Sequence, residues 1–211
     1  MHDIELFSFA QLGLGENAMQ TEKVRTFPAP ERPANPEDVT LVTQFSVNRF
    51  ERFQGIVTNW RGPISAVVYL VNPWDIFTLW DYLAVTPKEE IANVTLTVVQ
   101  PNYRVDFRHY PINRLRNVGI KAALTDYIFV IDADFRPTSG LYPYLWRFVV
   151  PKIRMNPKHA YVVAGPAVKE THQGAMPDSV SDLRVLFDSG TSYIPSMIGH
   201  SHTKYEVFLD Q

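Results

Sequence analysis

Asp132 and Asp134, one residue apart, close the apolar run Tyr127-Ile-Phe-Val-Ile131. Hard divalent cations take oxygen ligands, and Mg²⁺ or Mn²⁺ commonly uses one or two carboxylates alongside phosphate oxygens and water. A cation held there neutralises charge developing on a departing diphosphate. The one-residue spacing lets one carboxylate face the metal while the other reaches metal-bound water or a sugar ring. Two aspartates after a strand also serve as turn formers and helix caps, so their place in the fold decides between the readings. In an open α/β sheet the ligand crevice lies just beyond the carboxyl ends of the strands, which is where this run ends.

The surrounding pattern predicts such a sheet. Val39-Thr-Leu-Val-Thr43, Ile64-Ser-Ala-Val-Val-Tyr-Leu-Val71 and Val94-Thr-Leu-Thr-Val-Val99 read as strands. Residues 127–131 read as a further strand covered on both faces. Between them, Val47–Trp60 carries Phe50, Phe53, Ile56, Val57 and Trp60 at helical spacing and ends at Gly62-Pro63. Trp74–Val85 predicts a helix with Phe77, Trp80 and Tyr82 inward, and Ile112–Leu124 one with Ile112, Leu115, Gly119 and Ala122 buried. Gly119 and the alanines allow close approach to the sheet, while Arg114, Asn117 and Lys121 share another face. Beyond the acidic loop, Leu141–Met155 predicts a helix with Leu145, Phe148 and Val149 apolar, interrupted near Pro151. Ala160–Ala164 predicts a strand, Val180–Phe187 a helix and Gly190 a turn. Strands alternating with helices imply right-handed crossovers and a mostly parallel sheet. Residues 1–37 read as a peripheral segment whose Pro28, Pro30, Pro33 and Pro36 form a semi-rigid lead-in.

Composition bounds the chemistry. The 211 residues suit a single domain, with residues 38–211 as its body, and 45% hydrophobic with 20% charged residues is ordinary for a globular protein. A net charge of −2 disfavours nucleic acid as a partner. With no cysteine, disulfides, thiolate catalysis and cysteine-based metal sites are excluded. No run approaches the roughly 18 apolar residues of a membrane span, and the first residues do not read as a signal peptide. Any membrane association would come through an anchor absent from this chain. Asn93-Val94-Thr95 is a glycosylation sequon. The segment Gln44-Phe-Ser-Val-Asn-Arg49 is not the Gly-rich phosphate loop a nucleotidyltransferase wants after its first strand.

Tyr110, Pro111, Asn113, Arg116 and Asn117, followed by Asp132 and Asp134 and then Gly140-Leu-Tyr-Pro-Tyr-Leu145, resemble the hallmark residues of glycosyltransferase family 49, the LARGE-like glucuronyltransferases. Asp38-Val-Thr-Leu-Val-Thr-Gln44 and Trp60-Arg-Gly-Pro-Ile-Ser65 are similar to the family's first strand and the approach to its second. The resemblance runs from Asp38 to about His200. It implies a GT-A-like fold, here a partial one, because family sequences continue well past Gln211. It also implies a UDP-sugar donor, Mn²⁺ (or Mg²⁺), inversion at the anomeric carbon, transfer of glucuronic acid to a glycan acceptor, and residence in the Golgi lumen. Position by position, Asp132 and Asp134 would hold metal and donor. Asn113, Arg116 and Asn117 would lie near the nucleotide, and Thr43 and Gln44 near the uridine. An arginine suits a phosphate or a sugar carboxylate.

Inversion needs a general base, for which Glu170 lies nearest the family's Pro-Ala-x-Glu, though Pro166-Ala-Val-Lys-Glu170 is one residue longer. Gly199-His200 with Thr203 resembles an acceptor segment, and His200 with His202 could pair on a metal. The bland alternatives are solvated helix arginines at 114 and 116, strand-end polar residues at 43 and 44, a loop glutamate at 170 and surface histidines. A non-catalytic carbohydrate- or nucleotide-sugar-binding module is the competing functional reading.

Overall fold

The computed structural model describes residues 22–31, 35–105 and 110–193. His200, His202 and Thr203 lie outside the described residues. The chain divides into two compact units. The first ends at Asp134 and omits Asn59–Arg61, which belong with the second, from Phe135 onward.

The first unit is a five-stranded sheet in the order β1-β4-β3-β2-β5. Its strands are β1 (Lys23–Phe27), β2 (Val39–Ser46), β3 (Ile64–Tyr69), β4 (Val94–Gln100) and β5 (Tyr127–Val130). β2 pairs in parallel with β3 and β5, and β3 in parallel with β4. The predicted parallel α/β sheet is present, built by α1 (Phe50–Asn59), α2 (Asp75–Val85) and α3 (Ile112–Ala122) as crossovers. A 3₁₀ turn, Val47–Arg49, leads into α1.

Two expectations for this sheet are corrected. Part of the supposed peripheral lead-in, Lys23–Phe27, is an edge strand antiparallel to β4. Its Val24, Thr26 and neighbours alternate, yet without knowing that β4 offers a free edge the segment reads as linker. β5 is not covered on both faces: Ile128 and Val130 are 40% and 39% exposed. Among the described strands β5 pairs only with β2, so it lies at the sheet's other border.

The interior strands are buried along their length save for Ser46 at the end of β2, as parallel strands between helices must be. On one face, α1 buries Phe50, Phe53, Ile56 and Val57. Phe53 stacks on Phe45 of β2 at 4.6 Å, and Phe50 meets the same ring edge-on at 5.7 Å. Residues along a strand alternate faces, so Val42 and Gln44 look the other way, toward α3. There Gly119 sits so close that a β-carbon on it would lie 2.8 Å from Val42 Cγ1 and 3.2 Å from Val67 Cγ2. The Ser65 hydroxyl donates to the Gly119 carbonyl at 2.8 Å. Leu115 fills the same layer with Val67, Tyr69 and Val99.

The helix stripes are narrower than predicted. In α2 the buried residues are Ile76 and Leu79, whereas Phe77 is 44% exposed and stacks on Trp74 outside. The helix is rotated one residue from the aromatic stripe because Ile76 and Leu79 fit the sheet layer without an indole to accommodate. In α3, Ile112 lies outside, and Arg114, on the exposed side with Asn117 and Lys121, pairs with Glu22.

In the second unit, α4 (Leu141–Tyr144), a π turn (Leu145–Val149) and α5 (Val150–Met155) run on as one helix. Pro151 lacks an N–H and crowds the carbonyl four residues back, and the wide turn just before it absorbs both defects. Leu145 and Val150 are buried, but Phe148 is 49% exposed. Tyr142 packs on Trp60 at 5.1 Å. The predicted strand at Ala160–Ala164 is absent, with Val162 84% exposed. β-branched residues make a strand only where a neighbouring strand accepts them, and here the short antiparallel pair is β6 (Ala167–Val168) with β7 (Ser192–Tyr193). Helix α6 (Val180–Asp188) is capped by Ser179 Oγ, which accepts the Asp182 N–H. It closes at Gly190, whose φ of 68° is the left-handed turn glycine permits.

Candidate functional site

Asp132 stands where β5 ends. The Ile131 N–H still donates to the Val42 carbonyl at 3.0 Å, so the chain is tied to β2 up to the residue before the carboxylate. Ala133 is buried, which turns its two acidic neighbours outward from a fixed point.

The two aspartates are held differently. Oδ1 of Asp132 accepts two bonds of 2.7 Å, one from Arg116 Nη2 and one from Gln44 Nε2. Gln44 is brought there by β2 and Arg116 by α3, which Gly119, one turn further along, presses against the sheet. Gln44 and Arg116, both candidates for donor binding, thus meet at one oxygen of Asp132. Asp134 Oδ1 is bonded by Arg52 Nη1 at 2.8 Å, with Arg49 Nη1 at 3.4 Å. Arg49 ends the 3₁₀ turn that follows β2, and Arg52 lies in the first turn of α1. They were missed as site residues; the signal was two arginines three residues apart where the chain leaves the carboxyl end of the central strand.

Among the described residues, three buried side-chain polar atoms lack hydrogen-bond partners: Thr43 Oγ1, Gln44 Oε1 and Arg116 Nε. Two of these belong to the residues clamping Asp132. An unsatisfied buried donor or acceptor costs on the order of 1–3 kcal/mol, a cost that a ligand offering both oxygens and donors would relieve. Thr43 does not join them. It sits mid-strand opposite Ala66 and, by alternation, faces α1 rather than Asp132.

Tyr110 lies at the start of α3, its ring edge-on to Tyr69 at 5.6 Å. Burial, then the negative charge of Asp132, push its phenol up to about 12, against the opposing effect of Arg116. The hydroxyl therefore stays a neutral donor beside the carboxylate. Asn113 and Asn117 are on the exposed side of α3; Asn113, three residues before Arg116, lies nearer its stripe than Asn117. Glu170 is in the second unit, an exposed residue in the loop after β6.

Oδ2 of Asp132 and of Asp134 accepts no hydrogen bond among the described residues, and no group of three or more potential metal ligands occurs among them. Two oxygen donors with no imidazole or third carboxylate suit a cation that completes its shell with phosphate and water, as Mg²⁺ and Mn²⁺ do. The residues fit that group.

A mostly parallel sheet with an Asp-x-Asp loop beyond its carboxyl edge, clamped by a cation and an amide, has the GT-A-like glycosyltransferase architecture. The chain belongs to the family described as glycosyl-transferase for dystroglycan, whose profile matches residues 81–195. Among curated proteins, it is 32% identical to the xylosyl- and glucuronyltransferase LARGE2 of Mus musculus over 181 residues, covering 82% of this chain and 25% of that protein. It is 34% identical to LARGE2 of Rattus norvegicus over 184 residues, with the same coverage of each chain. LARGE1 of Homo sapiens is 33% identical over 164 residues, which is 77% of this chain and 21% of LARGE1. The chain thus spans about a quarter of the length of these relatives.

Proposed function

We propose that this chain is part of a metal-dependent, inverting glycosyltransferase that moves glucuronic acid from a UDP-linked donor to a glycan acceptor in the Golgi lumen. The observation that carries the reading is the convergence of Arg116 and Gln44 on one oxygen of Asp132 at the end of β5. That arrangement fixes the carboxylate's orientation and leaves its other oxygen for a cation.

Mn²⁺ or Mg²⁺, held by Asp132 and Asp134, would neutralise charge on the departing diphosphate. The chain's own residues do the positioning. Arg116 has a donor to spare in Nε, suited to a phosphate oxygen. Gln44 Oε1 is an acceptor looking for an N–H or O–H, such as a uracil or ribose group offers. Tyr110 keeps its proton and can donate. Proton removal from the acceptor hydroxyl falls to Glu170 in this reading. No helix among the described residues is long and apolar enough to cross a membrane, so the Golgi assignment draws on the family relationship.

The second reading, a nucleotide-sugar-binding module without turnover, is favoured by the exposure of Glu170 in the loop after β6. Calorimetry of UDP binding with and without Mn²⁺ tests the site, and release of UDP from UDP-glucuronic acid tests turnover. Asp132→Ala and Asp134→Ala should each lower Mn²⁺-dependent affinity by about tenfold or more while circular dichroism is unchanged. Undiminished metal-dependent affinity in both variants would refute the site; binding without UDP release would favour the module.

A further inference from the structure

The two aspartates differ in how firmly they are held. Asp132 is gripped by a cation and by a nine-tenths buried amide whose second polar atom is unpartnered. Asp134 is gripped only by long, solvent-exposed side chains: Arg52 and Arg49 are 47% and 40% exposed, and Asp134 itself 51%. Exposed ion pairs of this kind are weak and readily broken. Both guanidiniums sit on Oδ1 of Asp134, and a divalent ion binding the same carboxylate through either oxygen would compete with them for its charge.

Charge counting points the same way. Two carboxylates are matched by three guanidiniums, those of Arg49, Arg52 and Arg116, so the cluster carries one excess positive charge. A divalent cation raises that excess to three, which the two charges of a diphosphate and one further carboxylate would cancel. A cation entering alone is repelled; a cation entering with its anion is not.

We infer that Arg52 is an exchangeable placeholder: it occupies Asp134 while the site is without a cation, and is handed to an anionic group of the donor when the cation takes Asp134. This inference rests on the reading of Asp132 and Asp134 as the cation site. Arg52 is then a positioning residue of the donor complex, and the site takes metal and acidic donor together rather than metal first. Arg116, which shares Asp132 Oδ1 with the buried Gln44 amide, does not exchange.

The exchange makes a prediction of opposite signs. In Arg52→Met the competing charge is gone, so Mn²⁺ alone, followed by the electron paramagnetic resonance of free Mn²⁺, should bind roughly three- to tenfold tighter. UDP-glucuronic acid at saturating Mn²⁺, followed by calorimetry, should bind weaker by a similar factor. Arg52→Lys keeps the charge and should restore wild-type Mn²⁺ affinity. Unchanged or weaker Mn²⁺ binding in Arg52→Met overturns the placeholder role, and unchanged donor binding overturns the transfer to the anion. If Asp132→Ala and Asp134→Ala also leave metal-dependent binding intact, the underlying site assignment has failed; if they abolish it while Arg52→Met changes nothing, only the exchange has failed.

Discussion

Gly119→Ala tests how tightly the site is coupled to the packing beneath it. In an unconstrained helix the change would stabilise by about 1 kcal/mol, since alanine is the better helix former. Here the new methyl would lie 2.8 Å from Val42 Cγ1 and 3.2 Å from Val67 Cγ2. Both valines are fully buried, at 0% exposure, and β-branched side chains are stiff about χ1. Neither can swing aside, so α3 must lift. Overpacking of this kind costs about 1–3 kcal/mol, leaving a net destabilisation of roughly 1 kcal/mol after the propensity gain. The lift also moves Arg116 off Asp132, and the Ser65–Gly119 bond with it. The assay is urea unfolding, run alongside UDP–Mn²⁺ calorimetry. Val42→Ala removes the contacting methyl, so the double variant should be more stable than the sum of the singles by at least about 0.5 kcal/mol. A Gly119→Ala protein stabilised by about 1 kcal/mol, additive with Val42→Ala and normal in UDP affinity, would refute the reasoning.

Two other predictions concern ionisation and modification. Tyr82 and Tyr110 are both pushed up to about 12, chiefly by burial. The unfolded chain releases these protons near pH 10, so their contribution to stability is intact below pH 10 and lost as pH rises toward 12; ultraviolet titration should show late phenolate absorbance that moves to its ordinary pH in denaturant, and normal titration in the native protein would contradict it. At the sequon, the Asn93 amide donates to the Gly62 carbonyl, and Thr95 is 6% exposed with its hydroxyl accepting the Ala29 N–H. Protein made in a glycosylating host should therefore show no glycan mass on the Asn93 peptide; a substantially occupied Asn93 in folded protein would show that this corner opens.

What the sequence carried was local. The Phe50, Phe53, Ile56 and Val57 stripe, the three buried strands, and the meaning of Gly119 could all be read because periodicity and residue size act within a few residues. Asp132 was legible for a related reason: an acidic pair directly after an apolar run marks a strand end, and strand ends are where open sheets bind. The family motif added Arg116 and Gln44, and the fold brings both to one carboxylate oxygen.

Errors fell where a distant partner decides the outcome. Lys23–Phe27 became a strand because β4 had an edge to give, and Ala160–Ala164 remained irregular among the described residues because no strand pairs with it. The rotation of α2 was set by what the sheet could accept, which put Ile76 inward and the larger Phe77 outside. Thr43 and Gln44, adjacent in sequence, were taken as a pair, but the pleat sends them to opposite faces. The sequence by itself determined that two carboxylates would stand at the end of a parallel strand, since that needs only local patterning. Which cation each would hold was decided by tertiary structure, because guanidiniums from α1 and α3 meet those aspartates only after β2 has paired with β5 and both helices have packed on their own faces of the sheet.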